Sequence, residues 1–335
     1  MINIYLPATF ENIKNSIAIE IIPFDKLNIW LKKQDHFTKQ WLLENIFQID
    51  LSICCLPDQK TGKLSKVIIV VKDMDALQDM WFLSKLIKIL PLHKTYYFTN
   101  ITLFKRPQLH FIAWGLACYI FSHYKKPKQQ QILEILVPSS LDLDLIQNIF
   151  NATCLVRDLI NFPASYLNPS VLAQRIIDET TTHNAKIQVI SGESLINLYP
   201  ATYIVGNASI NEPLMLTIQW GEKSHPLVTL IGKGVCFDTG GLDLKTTKGM
   251  ALMKKDMAGA AHVLALAKMI MQENLHIRLK VFIPIVENSI GANAYRPSDI
   301  ITMNNHTNVE ISNTDAEGRL ILADAIIQAV KDKPN

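Results

Sequence analysis

Residues 231–245 read Ile231-Gly-Lys-Gly-Val-Cys-Phe-Asp-Thr-Gly-Gly-Leu-Asp-Leu-Lys245. The apolar run Leu227–Ile231 leads into this stretch and reads as a buried strand, so the residues after Ile231 form the loop beyond the strand's C-terminal end. The protein has only 13 glycines in 335 residues, and six of them (Gly232, Gly234, Gly240, Gly241, Gly249 and Gly259) fall between 232 and 259. Backbone freedom is thus concentrated in one loop, where a ligand can approach the main chain closely. The loop carries Lys233, Asp238 and Lys245, and the next helix, expected over about Gly249–Glu273, carries Asp256 before a run of small residues from Ala258 to Ala261.

Outward from this loop, strands and helices alternate. Pro169–His183 reads as a helix, with Asn168 as N-cap and Pro169 at the first position. Strands are expected at Ile187–Ile190, Leu214–Trp220, Leu279–Val286 and near Val309–Ile311, and a last helix near Leu320–Val330. This pattern predicts an α/β fold whose mixed, mostly parallel sheet is flanked by helices, with functional groups at the C-terminal strand ends. Upstream, Val67–Val71 and Ile132–Val137 read as buried strands, and Asp75–Ile89 and Gln108–His123 as helices, which makes a smaller α/β domain. A long helical stretch, Leu141–Asn161, runs up to Pro163. The expected organisation is an N-terminal α/β domain over 1–140, a linker helix over 141–163 and a second domain over 164–335 that bears the glycine loop.

Composition excludes several classes. With 49% apolar and 19% charged residues the chain is not disordered. Apolar runs such as Phe111–Phe121 are far shorter than the ~20 residues of a membrane-spanning helix, and no secretory signal opens the sequence. Five cysteines without metal-type spacing (Cys54, Cys55, Cys118, Cys154, Cys236) read as reduced thiols of a cytoplasmic protein. Residues 1–150 hold 17 basic and 13 acidic groups, an excess too small to mark a nucleic-acid surface. Lys125-Lys-Pro-Lys128 reads as a solvated loop.

A second motif lies far downstream: Asn313-Thr-Asp-Ala-Glu-Gly-Arg319 places Asp315, Glu317 and Arg319 in one short segment before a helix. If Asp238, Asp315 and Glu317 converge with Asp256, their mutual repulsion is tolerable only beside cations. The glycine loop matches neither GxGxxG nor GxxxxGK[ST], and acidic neighbours repel phosphate, so a phosphate cradle is a poor account of it.

These two motifs, with Met253-Lys-Lys-Asp-Met-Ala-Gly-Ala-Ala261 between them, resemble those of the M17 leucine aminopeptidase (cytosol aminopeptidase) family. The resemblance runs from about Val156 to the end of the chain, through Gly206–Ser209 and Glu212–Met215. Thr239 stands where the family commonly has Ser, and Thr246 where Pro often follows the lysine. The resemblance implies a metallo-exopeptidase with two divalent ions, Zn2+ or Mn2+, with Mg2+ exchange. Asp238 and Glu317 would bridge them, Lys233 and Asp256 would complete one site, and Asp315 the other. Lys245 would stabilise the oxyanion and Arg319 would hold a bicarbonate that shuttles protons. Substrates would be peptides with a free N-terminus, and the assembly a homohexamer when full length. The rival reading, a DNA-binding regulator on the same scaffold, has only the N-terminal charge excess behind it. Family members continue well beyond residue 335, so a truncated, poorly active form, or an inactive metal-binding fragment, is expected. His262 and Cys236 are expected to be packing groups and Asn288 a structural one, with a place at the border of the substrate cleft as the alternative for Asn288.

Overall fold

The computed structural model describes residues 4–45, 51–125 and 132–334. Two compact units divide the chain, residues 1–151 and 152–335. The division falls inside the helix Leu143–Asn161, the segment read as a linker.

The first unit is built on β1 (Tyr5–Pro7), β2 (Ile17–Pro23), β3 (Leu51–Pro57), β4 (Leu64–Val71), β5 (Thr95–Phe98) and β6 (Glu134–Val137), in the order β1-β6-β5-β2-β4-β3. Pairing is parallel except for the edge strand β3, which runs antiparallel to β4. Val67–Val71 are all buried, as a β-branched run covered on both faces must be. The helix Pro107–Cys118 buries nearly every residue from His110 onward and stops at Cys118, short of the expected His123. No α-helix spans Asp75–Ile89. The segment forms two 3₁₀ turns, Ala76–Gln78 and Phe82–Lys88. Asp73 Oδ1 accepts from the N–H groups of Asp75 and Ala76, and Asp79 Oδ1 from that of Trp81, so side chains capture the amides a helix would use. Of the basic knot Lys125–Lys128, only Lys125 lies within the described residues.

The second unit is organised by one long strand. Its strands are β7 (Lys186–Ile190), β8 (Leu214–Trp220), β9 (Leu227–Ile231), β10 (Gly234–Asp238) and β11 (Arg278–Asn288), with a separate antiparallel pair β12 (Ile300–Thr302) and β13 (Asn308–Glu310). One edge of β11 pairs antiparallel with β8, which in turn carries antiparallel β7. Along its other edge lie β9 and then β10, both parallel to β11. The sheet is therefore mixed, with parallel pairing confined to the edge that bears the glycine loop. Between β7 and β8 the helices Gly192–Leu198 and Pro200–Gly206 return the chain antiparallel instead of making a parallel crossover. Asn168 caps the helix Pro169–Thr181 as expected, its side chain accepting from Val171 N at 3.0 Å.

The helix after the loop begins at Ala258, not near Gly249. Thr246 caps a separate one-turn helix, Thr247–Met250, and a 3₁₀ turn, Met253–Lys255, comes next. Asp256 therefore sits at the end of that turn, ahead of the helix expected to carry it. Ala260 N donates to Lys233 O at 2.8 Å, so the helix's small-residue start is docked against the β9–β10 junction.

The helix Glu317–Ala329 packs Leu320 and Ile321 into a core with Val235, Val286, Ile301, Met303 and Ile311. Its orientation is pinned by a buried polar contact. Asp324 Oδ2 accepts from Thr202 N at 2.6 Å and from Thr202 Oγ1 at 2.9 Å, and Oδ1 is buried without a hydrogen-bond partner. Burial pushes the Asp324 carboxyl up from 3.8 to about 6 against the lowering effect of those bonds. The folded state thus holds this proton to higher pH than the unfolded chain. Its contribution to stability is complete below the unfolded pKa near 4 and is lost as pH rises through about 6. We expect Asp324→Asn, which cannot ionise, to remove roughly 2–3 kcal/mol of the stability lost between pH 4 and 6. Denaturant midpoints measured across that range check this, and an unchanged pH slope in the variant would exclude Asp324 as its source.

Candidate metal centre

Lys233 lies in the two-residue break between β9 and β10, so its side chain leaves the sheet ladder and turns toward helix Glu317–Ala329. Gly318 makes room for it: a Cβ there would stand 2.7 Å from Lys233 Nζ. The ammonium reaches Asp256 Oδ1 at 3.1 Å, Asp256 Oδ2 at 2.9 Å and Glu317 Oε1 at 2.7 Å. Burial opposes the charge on Lys233, but Glu317 and Asp256 outweigh it and hold the amine above its ordinary range.

Asp238 ends β10. Its Oδ1 accepts from Gly240 N and Asn288 Nδ2, both at 2.8 Å, which turns Oδ2 toward Lys245 Nζ at 2.9 Å. Gly240 and Gly241 adopt φ of +89° and +66°, which side chains resist, and fold the loop back so that Lys245 N donates to Thr239 O at 2.9 Å. Lys245 also pairs with Asp315, and the two carboxylates overcome its desolvation and raise its pKa. Thr239, the departure from the usual Ser, donates from Oγ1 to Asn288 O at 2.8 Å.

Asp315 sits in the turn Thr314–Ala316 and Glu317 opens the helix behind it. Thr314 ties this segment to the glycine loop. Its Oγ1 donates to Gly240 O (2.6 Å) and accepts from Asp243 N (2.8 Å), while its own N–H donates to Asp243 Oδ2 (2.7 Å). Thr314 O accepts from Asn288 Nδ2 at 3.0 Å and from Tyr295 OH at 2.6 Å. One oxygen each of Asp238, Asp315 and Glu317 then lie within 4.8 Å of one another. Glu317 is only 1% exposed, and burial, reinforced by Asp238, raises its carboxyl despite Lys233.

Six of the seven residues singled out from the sequence therefore meet in one cluster. Arg319 does not: it is exposed, and no ion pair or hydrogen bond joins its side chain to another described residue. Asn288 is fully buried and pins Asp238 to Thr314, which is the structural role expected of it and not the alternative at a cleft border. His262 is exposed, with Nδ1 2.7 Å from Ala258 O, and is not a packing group. Cys236 is buried and its thiol is pushed well up by desolvation, in keeping with inert packing. Thr314, Asp243 and Tyr295 were not anticipated. Asp243 and Thr314 stand inside the two motifs, but their partnership spans 71 positions and has no local signature.

Four carboxylates here face two ammonium groups, and Glu317 Oε2 is buried without a hydrogen-bond partner. An excess of negative charge around two almost wholly buried carboxylates, one with an orphaned oxygen, fits divalent cations bound through oxygen.

Comparison with known proteins gives the same direction. Residues 154–335 match the model of the cytosol aminopeptidase family, catalytic domain, and residues 17–138 that of the M17 aminopeptidase, N-terminal domain. A probable cytosol aminopeptidase of Corynebacterium glutamicum is 39% identical over 233 residues, covering 67% of this chain and 47% of its own length. The chain thus spans about half the length of this curated relative. The crystal structure of cytosol aminopeptidase from Coxiella burnetii superposes with a TM-score of 0.90 at 39% identity, over 98% of this chain and 71% of that one. The bottromycin maturation enzyme BotP in complex with Mn shares the fold, with a TM-score of 0.78 at 23% identity over 96% of this chain and 70% of that one. Together with the carboxylate cluster in its two motifs, these matches establish that the chain belongs to the cytosol aminopeptidase family.

Proposed function

We propose that the second unit carries the catalytic centre of a two-metal aminopeptidase that removes N-terminal residues from peptides. The observation behind this reading is the convergence of Asp238, Asp315 and Glu317 within 4.8 Å, with Lys233, Lys245 and Asp256 in direct contact. Asp238 and Glu317 would bridge two divalent ions, Lys233 and Asp256 would hold one of them, and Asp315 the other. Such ions, Zn2+ or Mn2+ with Mg2+ exchange, supply Lewis acidity and a water acidic enough to act as nucleophile near neutral pH. Manganese in BotP is consistent with this donor set.

The chain's own groups do the rest. Lys233 ligates only as a neutral amine, so its present ion pairs with Asp256 and Glu317 give way when it does. Lys245, held between Asp238 and Asp315, is placed to donate to the oxygen that becomes negative as the carbonyl is attacked. Asn288 and Gly240 fix one oxygen of Asp238 and leave the other to the cluster. Arg319, exposed and unpaired, is free to hold a bicarbonate that passes the proton to the leaving amine. The substrate's free α-amine would anchor at the centre, which makes the activity exopeptidic. By family likeness the working assembly is a cytoplasmic homohexamer.

Three outcomes test the reading. Glu317→Gln and Asp256→Ala should each lower bound metal, measured by elemental analysis after dialysis; unchanged stoichiometry in both would rule out the two-metal assignment. Lys245→Ala should keep metal content and KM while kcat falls about 10²–10³-fold, the usual cost of losing one oxyanion donor. Leucine amide should be hydrolysed by the metal-loaded protein and its N-acetyl derivative left intact, and efficient cleavage of the blocked substrate would point to another class of hydrolase.

A further inference from the structure

The carboxylate cluster occupies one end of β11. At the other end, about 33 Å away at ~3.3 Å per residue, lies a cavity of ≈ 270 Å³. Register builds its floor. Lys186 of β7 stands opposite Gln219 of β8, and Gln219 opposite Lys280 of β11, so the three side chains form a row on one face of the sheet. Arg278 projects from the same face two residues before Lys280, while Lys223 and Asp332 close the rim. Lys280 pairs with Asp332. Among the described residues no carboxylate pairs with Lys186, Lys223 or Arg278. Four cations thus line one concavity against a single acid.

Lys186 and Lys280 flank neutral Gln219 from two strands apart, so their charges add to one positive potential over the recess. A lysine on an exposed edge strand guards against edge-to-edge association, and that explains Lys186 on β7. It does not explain Arg278, which is partly buried on a strand paired along both edges and, unlike Lys280 with its Asp332 partner, has no carboxylate beside it among the described residues. An excess of cations in a recess that approaches the ~300 Å³ lower end of ligand pockets suits an anionic ligand.

We propose that this cavity binds a small phosphate-bearing anion carrying at least two negative charges, a pyrophosphate or the phosphate end of a phosphoester. The Arg278 guanidinium matches two phosphate oxygens as a planar fork, and Lys186 and Lys223 act as point charges on the remainder. Gln219, between the two lysines, offers an amide donor to a bridging oxygen. The inference is independent of the peptidase reading, since no residue of the cavity belongs to the carboxylate cluster.

Isothermal titration of the chelator-stripped protein with sodium pyrophosphate, at constant ionic strength, tests it. Saturable one-site binding is expected, weakened at least tenfold by Arg278→Gln and by Lys186→Gln, and kept within about twofold by Lys186→Arg. Circular dichroism checks folding, and Lys186→Gln, on an exposed edge position, keeps the test decisive if Arg278→Gln unfolds. Parallel titrations with inorganic phosphate and ATP separate the sources: tighter binding of ATP than of pyrophosphate assigns the site to a phosphoester, and the reverse to a free polyphosphate. Absence of saturable binding, unchanged affinity in both glutamine variants, loss of binding in Lys245→Ala, or displacement of pyrophosphate by a short DNA duplex would each overturn the proposal.

Discussion

Buried like charges repel, and the second unit is arranged around containing that repulsion. Asp238 and Glu317 are almost wholly buried, and one oxygen of each lies within 4.8 Å of the other and of one on Asp315. Without a counter-charge such a trio would protonate or push its loops apart. Two lysines provide the counter-charge. Lys233 faces Asp256 and Glu317, and Lys245 faces Asp238 and Asp315, so each ammonium spans two acids from different segments. The cationic demand that these lysines meet is the same one that divalent ions meet in the proposed enzyme.

Hydrogen bonds hold the acids in place against that repulsion. Asn288, at the end of β11, reaches both Asp238 and the carbonyl of Thr314. Thr314 and Asp243 exchange bonds that join the glycine loop to the turn before helix Glu317–Ala329. Neutral, fully buried donors suit this task, because they orient carboxylates without adding charge and lose nothing to solvent competition. The break between β9 and β10 supplies the remaining element by releasing Lys233 from the ladder, and Gly318 leaves it room.

The long strand β11 gives the unit its polarity. Its C-terminal end, with the parallel partner β10, meets the acidic cluster, and its N-terminal end meets the basic cavity. A ligand at one end is separated from the other by the full length of the strand. Opposite charges at the two ends favour different classes of ligand, cations at one and anions at the other.

Most of the site was legible in the residues. The glycine concentration marked the loop, and the two motifs named five of the groups that meet, with Asp256 coming from the segment between them. The strands Leu214–Trp220 and Leu227–Ile231 follow from their mostly apolar runs, but only the first is buried through Ile218; in the second, read as a buried strand, Leu227 alone is fully buried. Short-range competition blurred the helices: Asp73 and Asp79 divert amides in the first unit, and Thr246 starts a separate turn that leaves Asp256 outside the helix. What the sequence by itself determined was the set of ionisable groups and the strands that lead to them. Only the tertiary structure decided that Asn288 is a buried pin, that Thr314 partners Asp243, that Arg319 stands apart, and that Lys186, Arg278 and Lys280 share one face. The reason is physical: periodicity and composition act over a few residues, whereas these contacts join positions tens of residues apart, where only packing and sheet register select the partner.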